Sequence, residues 1–141
     1  MKRKIHWVSR HALSPAQERA LKDLHGDVEV VHHQNVLFED VDGVTSFVKE
    51  HSGFVYVVAG PQHTLHAMAW GCEFGVFANH HTKRQDGSFG LAAVYHVSQW
   101  WIDVVGEDGK RYSVNHPLLR EVWVNPDPLS DRGESLKPVI G

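Results

Sequence analysis

The segment Ile5-His6-Trp7-Val8-Ser9-Arg10-His11-Ala12-Leu13-Ser14-Pro15-Ala16-Gln17 decides the fold. Ile5 to Val8 is a short apolar run of strand type. Ser14 to Gln17 is a helix start, with Ser14 as N-cap, Pro15 at the first helical position and Gln17 placed for a capping box. Ala16, Ala20, Leu21 and Leu24 then recur at helical spacing as one apolar face, and Gly26 ends the helix. A strand, a short loop and a capped helix make the first half of a βαβ unit.

The same order repeats downstream. Val28-Glu29-Val30-Val31 reads as a second strand, and residues 41–50 read as a helix burying Val44, Phe47 and Val48. Phe54 to Ala59 is a third strand. A helix from Pro61 carries Leu65, Met68, Ala69 and Cys72 on its apolar face, with Gly71 near its end, and Gly75-Val76-Phe77-Ala78 is a fourth strand. The pattern βαβαβαβ calls for a parallel sheet with helices on its faces. Beyond it, Leu91 to Val97 and Gln99 to Val105 are rich in strand formers, and Gly106-Glu107-Asp108-Gly109 turns the chain into Arg111-Tyr112-Ser113-Val114. Asp-Gly supplies the positive φ angles of a hairpin turn. The expectation is an α/β chain, a Rossmann-like, mostly parallel sheet with flanking helices and a C-terminal antiparallel hairpin, forming one domain over residues 1–124. Residues 125–141, with Pro126, Pro128 and Pro138 among Asp131, Arg132 and Glu134, read as an extended tail.

With 141 residues and 42% hydrophobic content the chain can build a core without staples. A formal charge of −3 argues against a protein that coats long nucleic acid, although a local basic patch would suffice for a small anion. Cys72 is the single cysteine, so no disulfide framework is expected. No secretory leader is recognised, and the apolar runs are far shorter than the roughly 20 residues that span a bilayer. A soluble cytoplasmic protein without a membrane partner is expected.

Several of the 12 histidines fall just past the predicted strand ends, where open α/β sheets bind ligands. Ser9-Arg10-His11 lies between a strand and a capped helix whose free amides would attract an anion, with Arg10 and His11 adding charged donors. Gly60-Pro61-Gln62-His63-Thr64 repeats the arrangement, Gly60 allowing close backbone approach. If both loops meet at the strand-order switch, His11 and His63 face one cleft and can act as acid and base. The bland alternatives are a solvated Arg10 and histidines that only pack or cap. His32-His33-Gln34 and Asn79-His80-His81-Thr82-Lys83-Arg84 are less specific; alternation lets at most one histidine of each pair face a given pocket. His33, Asn79, Lys83 and Arg84 are the ligand contacts expected from these two stretches. His63 and His66 share a helix face at i, i+3, but no His-Glu-x-x-His or cysteine pair accompanies them, so neither metal nor cofactor is expected. Trp100, Trp101, Trp123 and Cys72 read as packing residues.

On Ser9-Arg10-His11 and Pro61-Gln62-His63 the chain resembles the small CRISPR-associated ring nucleases with a CARF (CRISPR-associated Rossmann fold) domain, over residues 4–84, departing from them at Ala12-Leu13. The resemblance implies binding and metal-independent cleavage of cyclic oligoadenylate, cyclic tetra-adenylate favoured, which switches off type III CRISPR signalling. It also implies a homodimer. His11 or His63 would transfer protons, Arg10 would stabilise the phosphate, and Ser9, Gln62 and Thr64 would bind. Arg10-His11-Ala12 also looks like the nucleophile motif of histidine phosphatases, which would make His11 the nucleophile and His63 a phosphoryl clamp. A non-catalytic cyclic nucleotide sensor or sponge needs the same anion-binding loops.

Overall fold

The computed structural model describes residues 2–51, 53–83 and 85–128. In chain order the elements are β1 (Arg3–Val8), α1 (Pro15–His25), β2 (Val28–His33), α2 (Gly43–Glu50), β3 (Phe54–Val57), α3 (Pro61–Ala69), β4 (Phe74–Lys83), β5 (Phe89–Val105) and β6 (Arg111–Val124). The strands form one six-stranded sheet ordered β2-β1-β3-β4-β5-β6. The first four are parallel, and β5 and β6 are antiparallel additions. This is a mixed α/β fold.

Side-chain alternation along the strands splits the core into two layers. Ile5, Trp7 and Tyr56 pack with Ala16, Ala20 and Leu21 of α1. Val8, Val55 and Val57 point the other way and pack with Val44 and Phe47 of α2 and Ala67 of α3. Helix α1 therefore covers one face of the sheet, and α2 and α3 cover the other. Each apolar face is hidden by the connection that leaves it. Among the described residues no helix is long and apolar enough to cross a membrane.

Helix α1 begins and ends where cap chemistry dictates. Ser14 Oγ accepts from the Gln17 amide at 3.2 Å while Gln17 Oε1 accepts from the Ser14 amide at 2.8 Å, and Gly26 closes the helix at φ 75°. Tight packing depends on Gly75, the β4 partner of Tyr56. A Cβ there would lie 2.4 Å from the fully buried Tyr56 ring.

Several expectations are corrected. Strand β2 runs through His32 and His33, and β4 runs through Asn79, His80, His81 and Lys83, so these residues are strand rather than loop. Ladder pairing with β1 and β5 carries the backbone on regardless of side-chain polarity. Helix α3 stops at Ala69, and the chain turns through Gly71 at φ 77°, so Cys72 is buried beyond the helix rather than on it. Leu65 and Ala69 face solvent, because the α3 face turned towards α2 carries Ala67 and His66, the latter hydrogen-bonded to Thr45. In the hairpin turn only Gly109 takes a positive φ, 76°; Asp108 does not. Of the expected tail, Asn125 is docked, its amide bonded to Ala92 O at 2.8 Å and its Nδ2 to Leu91 O at 2.6 Å; residues 129–141 lie outside those described.

Candidate functional site

The strand order reverses at β1, so the chain leaves β1 towards α1 on one face and leaves β3 towards α3 on the other. Adjacent parallel strands whose connections part in this way leave a crevice beyond their carboxyl ends. Here it is a cleft of about 340 Å³. Val8, Ser9, Arg10 and His11 form one wall, Val58, Ala59, Gly60 and His63 a second, and Val36, Leu37 and Phe38 of the β2–α2 connection a third. On the α1 side, a second depression of about 330 Å³ shares Ser9, His11, Val58 and Ala59, and reaches Gln17 and Asn79.

Three hydrogen bonds shape the loop after β1. Ser9 Oγ accepts from the His11 amide at 3.2 Å, Ser9 O accepts from His32 Nε2 at 2.8 Å, and His11 O accepts from the Trp7 indole at 2.8 Å. The backbone is thus held from both sides, and the Arg10 and His11 side chains project into solvent at the cleft mouth. At the start of α1, Pro15 has no amide hydrogen and the capping box engages Gln17 N. Helix α3 is N-capped by Gly60 without a side-chain cap; the His63 and Thr64 amides bond Gly60 O at 3.1 and 3.2 Å, Pro61 has no amide hydrogen, and His63 Nδ1 lies 3.6 Å from where a Cβ at Gly60 would stand.

His63 is the least satisfied group in the cleft. Both ring nitrogens are buried without a hydrogen-bond partner among the described residues, and the Phe38 ring lies 6.3 Å away, centroid to centroid. Thr64 Oγ1 donates to Gly60 O at 3.2 Å, so the hydroxyl serves the helix, and Gln62 is exposed beside it. The structure therefore brings Ser9, Arg10, His11, Gly60 and His63 together, with Asn79 on the adjoining depression. Lys83 is elsewhere, its ammonium 5.6 Å above the Phe89 ring, and Arg84 lies outside the described residues.

His33 also lies away from the cleft. Its Nε2 is 2.9 Å from His6 Nδ1, and with His51 the two make a group whose ligand nitrogens all lie within 4.8 Å of one another. Burial, then the neighbouring His6, His51 and His32, hold the His33 pKa below its ordinary value. Of each histidine pair one member does turn inward: His33 does so, while His32 is exposed. His66, expected beside His63, is instead engaged by the Thr45 hydroxyl at 2.8 Å.

A second imidazole set is structural. The Tyr56 hydroxyl lies 2.8 Å from His25 Nε2 and 2.6 Å from His96 Nε2, tying α1, β3 and β5 together. It donates to one ring and accepts from the other. Burial, then His25 and Arg3, push the His96 pKa down to about 4, while burial holds the Tyr56 phenol up. Sequence reasoning missed His6, His51 and the Val36–Phe38 wall. A histidine two residues before Val8, in an inward strand phase, was the available signal for the first. No protein-family model, curated protein or solved structure matches the chain.

Proposed function

We propose that the cleft binds a cyclic oligoadenylate, cyclic tetra-adenylate first, and cleaves it without a metal-dependent step. The observation that carries this reading is a pair of imidazoles brought from separate loops to one crevice, one of them, His63, with both nitrogens buried and unsatisfied. Buried polar atoms are nearly always paired in folded proteins. An orphaned imidazole lining a cleft is explained if a ligand supplies its partner. The parallel β2-β1-β3-β4 order, read as Rossmann-like, supports the placement at a switch point.

One imidazole takes the proton from a ribose 2′-hydroxyl, whose oxygen attacks the adjacent phosphorus. The 5′-oxygen leaves with a proton from the other imidazole. The product is a linear oligonucleotide ending in a 2′,3′-cyclic phosphate with a free 5′-hydroxyl. Arg10 and the Gln62 amide at the start of α3 stabilise charge on the non-bridging oxygens, Ser9 and the Gln62 side chain flank the ribose-phosphate backbone, and the fold supplies mainly positioning. A cleft of about 340 Å³ is at the small end of the range for ligand sites and well short of a four-nucleotide ring, so two clefts across a two-fold axis are required. The reading therefore includes a homodimer.

The test is chromatography of cyclic tri-, tetra- and hexa-adenylate after incubation with the full chain in EDTA, with binding measured on the same samples. Linear products ending in cyclic phosphate support the nuclease. Binding without products makes the chain a sensor or sponge, and absence of both overturns the assignment.

A further inference from the structure

We infer that His6, His33 and His51 form a site for one divalent transition-metal ion of the zinc type, independent of the cleft and of any nucleotide chemistry in it. The three side chains come from separate segments: the middle of β1, the last residue of β2 and the residue after α2. One nitrogen from each lies within 4.8 Å of the others, and the His6–His33 pair is already at 2.9 Å. Zinc–imidazole bonds of about 2.0–2.1 Å place ligand nitrogens roughly 3.4 Å apart in a tetrahedron. Small ring rotations bring the set to that spacing, the close pair opening and His51 moving in.

The protons favour ligation. His51 Nδ1 lies 2.7 Å from Phe47 O, and a carbonyl oxygen only accepts, so Nδ1 carries the proton and Nε2 presents a lone pair. This is the outer hydrogen bond that orients metal-bound histidine. The Phe47 ring stacks on His51 at 3.9 Å and meets the His33 ring edge-on at 4.9 Å, which holds both rings beside one another. His6 Nδ1 and His33 Nε2 share one proton between two nitrogens. When a cation takes that place the proton moves to the far nitrogen of its own ring, so both lone pairs face the ion.

The donor set selects the ion. Three imidazoles without a carboxylate suit zinc, cobalt, nickel or copper, and do not suit the oxygen-seeking magnesium and calcium. His6 is buried at 6% exposure, whereas His33 and His51 are half-buried, so water reaches the fourth position from their side. Binding would pin the end of β2, and with it the start of the connection that walls the cleft, to α2.

The experiment uses the full chain without an affinity tag, stripped by chelator and then titrated with Zn(II) or Co(II). The expected result is about one ion per chain, the visible absorption of four-coordinate Co(II), and a thermal midpoint that climbs with Zn(II) concentration. His33→Gln and His51→Gln each lower affinity by tenfold or more, with the metal-free circular dichroism unchanged. His116→Gln, at an exposed histidine of β6, leaves affinity unchanged. No stoichiometric uptake, uptake indifferent to both ligand variants, or equal loss in His116→Gln overturns the site. Because cleavage is assayed in EDTA, failure of either assignment leaves the other standing.

Discussion

Replacing His63 with leucine separates what the cleft does for folding from what it does for a ligand. The side chain fills similar volume, but the two ring nitrogens vanish. Both are buried and have no hydrogen-bond partner among the described residues, one a donor and one an acceptor in the neutral ring. Each unsatisfied buried group costs about 1–3 kcal/mol. Because the ring as a whole is only half-buried and can shift towards water, the two together cost no more than the lower end of that sum. His63→Leu should therefore stabilise the unliganded chain by about 1–2 kcal/mol. With a urea dependence of about 1–3 kcal/mol per molar, the unfolding midpoint rises by roughly 0.3–2 M.

The same substitution should lower oligoadenylate turnover by roughly a hundredfold or more, the usual contribution of a positioned acid or base. Urea unfolding followed by tryptophan fluorescence reads the first effect, and product chromatography reads the second. A lowered midpoint would show that the ring nitrogens are satisfied in the free protein, and the reasoning from His63 would fail. Raised stability with unchanged turnover would keep the packing argument and remove the catalytic one.

Gly75→Ala should cost about 3 kcal/mol, because a Cβ placed 2.4 Å from the Tyr56 ring meets a fully buried side chain wedged between two neighbouring strands; a loss under about 1 kcal/mol by the same unfolding assay would show that β4 can shift. His96, with a native pKa of about 4 against its ordinary 6.5, binds fewer protons folded than unfolded, so its contribution is complete above pH 6.5 and is lost as pH falls towards 4. The full shift corresponds to about 3 kcal/mol, which solvent screening of a partly exposed ring reduces to roughly 1–2 kcal/mol; His25 shifts in the same direction, and a flat urea midpoint between pH 7 and pH 4 would refute the assignment. Trp100→Glu with Trp101→Glu should convert a dimer at micromolar concentration to a monomer in analytical ultracentrifugation, and a monomeric parent protein would sink the dimer.

How much of this was legible in the sequence depends on how local the cause is. Helix α1 could be read to the residue because Ser14, Gln17 and Gly26 carry the whole of its cap chemistry. The hairpin could be read because its turn is local too. The ends of β2 and β4 could not, since they are set by partners in β1 and β5 rather than by His32, His33 or Asn79 themselves. The Ser9–His11 and Gly60–His63 loops were recognised as neighbours through a topological rule that converts chain position into place. Phe38 and its neighbours follow no period, and only the folded β2–α2 connection puts them on the cleft. His6, His33 and His51 are distant in sequence. They become a set only because α2 returns the chain to the start of β3, where Gly53 at φ 94° lies beside the His6 ring.

The hairpin bears directly on assembly. Strand β5 is paired to β4 only as far as Val97, and beyond it β5 and β6 continue as a two-stranded ribbon. A ribbon of two strands is marginal alone unless a hydrophobic face is covered. Here apolar side chains fall in both alternation phases: Trp100, Ile102 and Val104 in one, Trp101 and Val105 in the other, all of them exposed, so Trp100 and Trp101 are not the packing residues expected, because the ribbon runs past the strand that would cover them. Both faces therefore ask for a cover, and the ribbon is tied to α3 and the turn after it at its root, where Asn115 Nδ2 donates to Ala69 O and Gln99 Nε2 donates to Cys72 O. Large exposed apolar patches of this kind mark interaction surfaces. The same ribbon of a second copy, related by a two-fold axis, offers a cover of identical character and length. If the cleft takes the symmetric ring proposed for it, a dimer built through this ribbon also supplies the two clefts that such a ligand needs.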